Sequence, residues 1–297
     1  MNKTNYAFMA FAKGKESTEG VAVKRYTGVA PVFVLDVNPN KAELEKLYNT
    51  TLEEEPNYVG EVEVNGNKVP NVRIDFVVKT NAEQCNGIDF TSKITFFLRK
   101  DYRINKDGSK VQVIDKYGRT AWVTKEQYQA KEIPVYSNGP ANIDKDYRAC
   151  YHGEEELTNF IKTYLEIPNV MKYVNNTWVM VDNPTDCEAR LESIEDYFKG
   201  NFKELKEIIK IQPKNRVKVL FGVRTVEDKM YQAVYTQMFL KNSVTDYSRL
   251  DKDLQERKAA GAYPTTEFTV GALKEYTVEA TDFSKEIGEA PSSPWNF

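Results

Sequence analysis

Residues Asn215–Val226 read NRVKVLFGVRTV, and this stretch decides the fold. Val217, Val219, Phe221 and Val223 alternate with Arg216, Lys218 and Arg224, the period of two expected of a strand with one apolar face. It follows a helical middle. Glu154–Ile167 (EEELTNFIKTYLEI) sets Leu157, Phe160, Ile161, Tyr164 and Leu165 on one helical stripe, which Pro168 ends. After a strand-like Thr177–Asp182, the helical pattern resumes over Asp186–Ile211 through Leu191, Ile194, Tyr197, Phe198, Leu205, Ile208 and Ile209. Gly200-Asn201 divides that stretch into two helices.

Strand patterns dominate the first half. Pro31–Asn38 (PVFVLDVN) precedes a short helix from Pro39. Tyr58–Val64 and Val69–Thr80 meet across Asn65-Gly66-Asn67 as a hairpin, and Ile88–Asn105 turns at Lys106-Asp107-Gly108 into Lys110–Thr124. Met230–Asn242 supplies a last strand run. Strands that return after a helical insert point to one barrel interrupted by helices, not two domains. The expected fold is mainly β with a helical insertion (α+β), an OB-type five-stranded Greek-key barrel with elaborations. An α+β sandwich fits the same string with less detail. The barrel spans 21–278 with its helical insert at about 145–212. A mobile N-terminal arm (1–20) precedes it and an acidic C-terminal tail (279–297) follows.

With 297 residues, 41% apolar and 29% charged, the chain is large enough for a core that needs no staples. No apolar run approaches the roughly 20 residues that span a bilayer, so no membrane partner is expected. The N-terminus lacks a signal-peptide pattern, and three cysteines do not form a disulfide framework. A cytoplasmic location is expected. Net charge is −3, but the tail accounts for it: residues 1–278 hold 40 bases and 40 acids. A neutral body still accommodates a basic stripe on one face.

No nucleophile elbow, zinc-protease or phosphate-loop pattern occurs, and no catalysis is expected. Cys150-Tyr151-His152 puts a thiol and the single histidine at strand spacing, but nothing completes a triad. Cys85, Cys150, His152 and Cys187 have the ligand types of a Cys₃His zinc site, yet they come from distant segments without the paired spacing of zinc ribbons, so no cofactor is expected.

The informative pattern is on the strands. Along Lys93–Arg103 and on to Ile104, one face carries Ile94, Phe96, Leu98, Tyr102 and Ile104, with Lys100 the exception, and reads as core. The other carries Lys93, Thr95, Phe97, Arg99 and Arg103. Arg73 and Lys79 on Val72–Thr80, the Lys116, Tyr117, Arg119 and Trp122 set, and the outward Arg216, Lys218 and Arg224 repeat the mixture of cations and rings. Asp75, Asp101 and Asp115 are interspersed. Cations track phosphates and exposed rings stack on unpaired bases, which is what sequence-tolerant single-strand binding needs. The expected phosphate contacts are Lys93, Arg99, Arg103, Lys116, Arg119, Arg216, Lys218 and Arg224. The expected stacking rings are Phe97, Tyr117 and Trp122. In the tail, Asp282, Glu286 and Glu289 lead to Trp295 and Phe297. That end suits capture by a partner protein, or competition with DNA for the chain's own groove.

Val23–Tyr48 (VKRYTGVAPVFVLDVNPNKAELEKLY), Val69–Thr80 (VPNVRIDFVVKT) and Val111–Val123 (VQVIDKYGRTAWV) resemble the single-stranded-DNA-binding proteins of tailed bacteriophages. The layout of arm, barrel with inserts and acidic tail is similar too. The resemblance implies an accessory protein that coats single-stranded DNA in replication and recombination in the host cell cytoplasm. It also implies tail-mediated contact with other replication proteins, and self-association through the arm. Some such phage proteins hold zinc in a Cys₃His site, from whose spacing this chain departs. The alternative function is a phage structural or assembly protein acting through protein contacts.

Overall fold

The computed structural model describes residues 24–49, 51–189, 191–211, 216–227 and 229–277. In chain order these form β1 (Tyr26–Val37), α1 (Lys41–Tyr48), β2 (Val59–Val64), β3 (Asn67–Thr80), β4 (Thr91–Tyr102), β5 (Lys110–Asp115), β6 (Thr120–Thr124) and α2 (Lys125–Ala130). The ribbon β7 (Val135–Tyr136) and β8 (Gly139–Pro140) precedes β9 (Tyr147–Ala149), β10 (Tyr151–His152) and α3 (Glu154–Tyr164). Then come β11 (Met171–Val174), β12 (Thr177–Met180), α4 (Ile194–Tyr197), α5 (Lys203–Ile211), β13 (Val217–Val226) and β14 (Lys229–Val234). The last elements are β15 (Leu240–Lys241), α6 (Ser248–Ala259), β16 (Thr266–Phe268) and β17 (Lys274–Glu275).

Local chemistry accounts for the punctuation. Asn65 and Gly66, both at positive φ, close the two-residue β2–β3 hairpin. Asn40 caps α1 in a reciprocal box, its side chain accepting from the Glu43 amide while Glu43 accepts from the Asn40 amide. The long strands build an antiparallel sheet ordered β10-β4-β3-β1-β13-β14, with β2 on β3, β15 and β16 on β13, and β17 on β1. Where β1 crosses to β3, the register slips between Val34 and Asp36. Such a bulge bends a strand and sharpens its twist, and the sheet curls into a half-barrel. The protein is therefore mainly β, with a few helices.

The helices of the insert fill the hollow of that half-barrel. Val32 and Val34 of β1, Ile74 and Phe76 of β3, Ile94, Phe96 and Leu98 of β4, and Val219 and Phe221 of β13 share one core with Leu157, Phe160 and Ile161 of α3 and Leu205 and Ile209 of α5. Phe160 is its hub, with ring centroids 4.7 Å from Phe76, 5.4 Å from Phe96 and 5.0 Å from Phe239. Gly153 starts α3 at φ +82°, and a Cβ there would stand 2.0 Å from the Phe97 carbonyl oxygen, so only glycine lets α3 begin so close to β4. On the outer face, Leu250 and Leu254 of α6 cover Val29 and Leu220. A three-stranded sheet, β6-β5-β9, keeps its own small core around Val113, Val123 and Tyr147.

Three expectations change. Tyr102 and Ile104 are not core: they are 51% and 58% exposed, and neither joins the cluster that takes Ile94, Phe96 and Leu98. The helical stretch from Asp186 opens on a 3₁₀ turn (Pro184–Cys187) and is α-helical, among the described residues, at Ile194–Tyr197 and Lys203–Ile211, with the expected break at Gly200 at φ +82°. The run from Met230 divides into β14 and β15, which pair with different parts of β13. Among the described residues no helix is long and apolar enough to cross a membrane.

Phe160→Ala should cost about 3–5 kcal/mol, the range for removing a large ring from a core. Urea unfolding of the purified chain measures it, and a loss under about 1 kcal/mol would mean that the insert does not support the sheet.

Candidate nucleic-acid interface

Alternation along β3 and β4 puts Ile74, Phe76, Phe96 and Leu98 into the core and turns their neighbours outward. The register aligns Arg73 with Phe97, Asp75 with Thr95, Val77 with Lys93 and Asn71 with Arg99. The result is an outer strip in which Phe97, 58% exposed, has Arg73 across from it and Lys93 and Arg99 along its own strand. Asp75 lies beneath, buried, and holds the strip together. Its carboxylate meets Arg73 Nε at 3.2 Å and Lys93 Nζ at 3.3 Å, and accepts from Thr95 Oγ1 at 2.8 Å. The Arg73 guanidinium lies 5.1 Å from the Tyr58 ring centre, and Tyr58 donates to the Pro39 carbonyl at 2.7 Å. Burial pushes the Lys93 ammonium down to about 8, against the pull of Asp75.

The remaining candidates fall into two other places. At the end of β4, Arg99 Nε donates to Asp101 at 2.6 Å, and Arg103 meets Glu155 of α3 at 3.0 Å. Glu155 also accepts from Gln112 and Thr120, so Arg103 belongs to a network that ties β4, β5, β6 and α3 together. At the β5–β6 turn, Lys116 pairs with Glu188 at 3.2 Å, and Arg119 pairs with buried Asp115 at 2.7 Å. Trp122 is half-buried on β6, its amide donating to the Tyr136 hydroxyl at 3.2 Å. Tyr117 corrects the expectation of an exposed stacking ring. It is 4% exposed, packed with Val170 and Cys187 beneath Lys116 and Arg119, because the turn folds down onto the insert.

The third place is β13, three strand spacings from β4, about 14 Å away. Lys218 donates to the Val244 carbonyl and sits 5.5 Å from the Tyr247 ring centre. Arg216 and Arg224 are half-buried near the two ends of the strand. The face they share with Leu220 is covered by α6, so it does not open to solvent as a bare strand face would. Lys93, Phe97 and Arg99 are therefore brought together with Arg73. The β5–β6 set and the β13 set stand apart from them.

The four zinc-type ligands are not gathered. Cys85 lies in the main core, Cys187 against Tyr117, and Cys150 is buried beside β10. Among the described residues no group of three or more His, Cys, Asp or Glu side chains could hold a metal. Burial, helped by Glu154 and Glu155, pushes the Cys150 thiol up, the wrong direction for a nucleophile. Burial and then Arg99 push His152 down, although Asp101 stands 3.8 Å away. The arm and the tail residues Asp282, Glu286, Glu289, Trp295 and Phe297 lie outside the described residues.

Two features escaped the sequence reading. Tyr102 stacks on Tyr151 with ring centroids 5.6 Å apart, and Tyr173 and Trp178 stand exposed on the β11–β12 ribbon. Asn175-Asn176 between two short apolar runs was the available signal for the ribbon. No family model matches the chain, and no curated protein or solved structure matches it either.

An unfolded lysine titrates near about 10.4, whereas folded Lys93 titrates at about 8. Between those values the unfolded chain binds the extra proton, so this group makes the native state more stable as pH rises from 8 toward about 10.4. Urea melts at roughly pH 7 and pH 9.5 should show the wild type gaining on Lys93→Met at the higher pH. Parallel shifts in the two proteins would remove Lys93 as the titrating group.

Proposed function

We propose that this chain is a non-enzymatic single-stranded-DNA-binding protein, sequence-tolerant, of the kind that coats DNA in phage replication and recombination. The observation that carries this reading is the outer β3–β4 strip. A phenylalanine that a core would normally claim is instead 58% exposed, with Arg73, Lys93 and Arg99 around it. Bases stack on such a ring while the cations meet phosphates. Asp75 holds Arg73 and Lys93 in place with their side chains 17% and 19% exposed, and its one negative charge offsets one of their two positive charges, so Phe97 and Arg99 are the more open part of the strip.

The finer architecture we propose is an OB-type barrel. Counting β1, β3, β4, β13 and β14 as first to fifth, their order across the sheet is third, second, first, fourth, fifth, with the helical insert between third and fourth. That connectivity supports a five-stranded Greek-key barrel, as does the approach of β14 to β4. In such barrels the face of the second and third strands takes oligonucleotides. Here those strands are β3 and β4, which carry Arg73, Lys93, Phe97 and Arg99. The resemblance of the three quoted segments to phage single-strand binders points the same way. We assign the acidic tail with its terminal rings to contacts with replication proteins. A structural or assembly protein is the second reading, favoured by the exposed rings of β11–β12.

Oligo(dT) should shift the protein in a native gel at low salt and duplex DNA should not, with affinity falling steeply as salt rises. Phe97→Ala should weaken binding by about 1–3 kcal/mol with the fold intact. The absence of any single-strand complex at low salt would sink the proposal, and an unaffected Phe97→Ala variant would move the site elsewhere.

A further inference from the structure

The ribbon of β11 and β12 is an apolar surface that the rest of the described fold leaves uncovered. The two strands pair only with each other. Asn175 and Asn176 join them at φ 49° and 62°, the left-handed pair that a two-residue hairpin turn requires. Of the fifteen exposed large apolar side chains among the described residues, five fall between Tyr173 and Met180. That concentration separates the ribbon from ordinary scattered exposure. Its register sets Tyr173 opposite Trp178 and Met171 opposite Met180 on one face, with the two rings 5.1 Å apart. Met171 packs at the root against the Tyr117, Val170 and Cys187 cluster, while Tyr173, Trp178 and Met180 are 59%, 63% and 49% exposed.

An isolated two-stranded ribbon is marginally stable in water, and free edges are usually guarded by lysine or proline. Here Tyr173–Val181 (YVNNTWVMV) has no charge and no proline, and Lys172 at the root is tied to Asp182 at 3.3 Å. A phosphate backbone requires cations, which this face lacks. An uncharged face of two rings and a thioether is complementary to itself, since two copies meet without opposing like charges.

We propose that the Tyr173–Trp178 face is a self-association surface, packing against the same face of a second copy across a two-fold axis. The contact is isologous, with Trp178 of one copy on Tyr173 of the other. Each face offers about 400 Å² of apolar surface, so a pair hides roughly 800 Å² from these side chains alone, below the roughly 1,000 Å² of a stable specific contact and in the range of a transient one. The dimer is accordingly weak and concentration-dependent. It does not depend on the chain binding DNA.

Sedimentation velocity of the full chain without DNA, across the micromolar range, tests it. The wild type should move from monomer toward dimer as concentration rises. Trp178→Ala and Tyr173→Ala should each weaken dimerisation about tenfold or more, with unchanged circular dichroism. A wild type that stays monomeric throughout, or a dimer that both substitutions leave intact, overturns the proposal. So does a monomer whose Trp178 fluorescence, with the other two tryptophans replaced by phenylalanine, is quenched by oligo(dT) or by phosphatidylglycerol vesicles. The ribbon would then be a nucleic-acid or a membrane contact.

Discussion

A curled sheet that does not close has an apolar hollow, and that hollow must be filled. In this chain the filler is the insert itself. Phe160 of α3 enters among Phe76, Phe96 and Phe239, and α5 adds Leu205 and Ile209 beside it. Interiors pack near crystal density, so the placement of α3 and the curvature of β3 and β4 constrain each other. Gly153 makes the fit possible by letting the helix start against the Phe97 carbonyl. The outer strip inherits its rigidity from this packing, because Thr95 and Phe97 each stand between two inward residues of the core, Ile94 and Phe96 or Phe96 and Leu98.

Electrostatics then sets the character of that strip. A carboxylate as buried as Asp75 is tolerable only if paired and hydrogen-bonded, and it recruits Arg73, Lys93 and Thr95 for that purpose. The same economy operates elsewhere on the molecule. Asp115 is fully buried and bound by Arg119, and Glu154 is fully buried and bound by Arg148. Among the described residues these three buried acids tie up Arg73, Lys93, Arg119 and Arg148 in structural pairs. Counting bases along the sequence therefore overstates the cations free to meet a ligand.

Much of the fold was legible because period and punctuation are local. The stripe Leu157, Phe160, Ile161 and Tyr164 is buried as the helical period requires, and Asn65-Gly66 turns β2 into β3 as its backbone chemistry requires. α6 is different. Only Leu250 and Leu254 of SRLDKDLQERKA are buried, too weak a stripe to show which surface the helix covers. Yet α6 decides that Lys218 and its neighbours on β13 do not share an open face with β4. Tyr102 and Ile104 fit the inward period of β4, yet they are exposed and stand outside the core cluster.

Sequence alone determined the alternation of the long strands, the buried stripe of α3, the Asn65-Gly66 turn and the order in which β-rich and helical segments follow one another, since all of these arise from neighbours along the chain. Tertiary structure alone decided which cations stand together, that Tyr117 is buried while Tyr173 and Trp178 are exposed, and that the zinc-type ligands lie apart. Those outcomes depend on packing and ion pairing between segments tens of residues apart, and alternation along one strand carries no information about what covers its outer face.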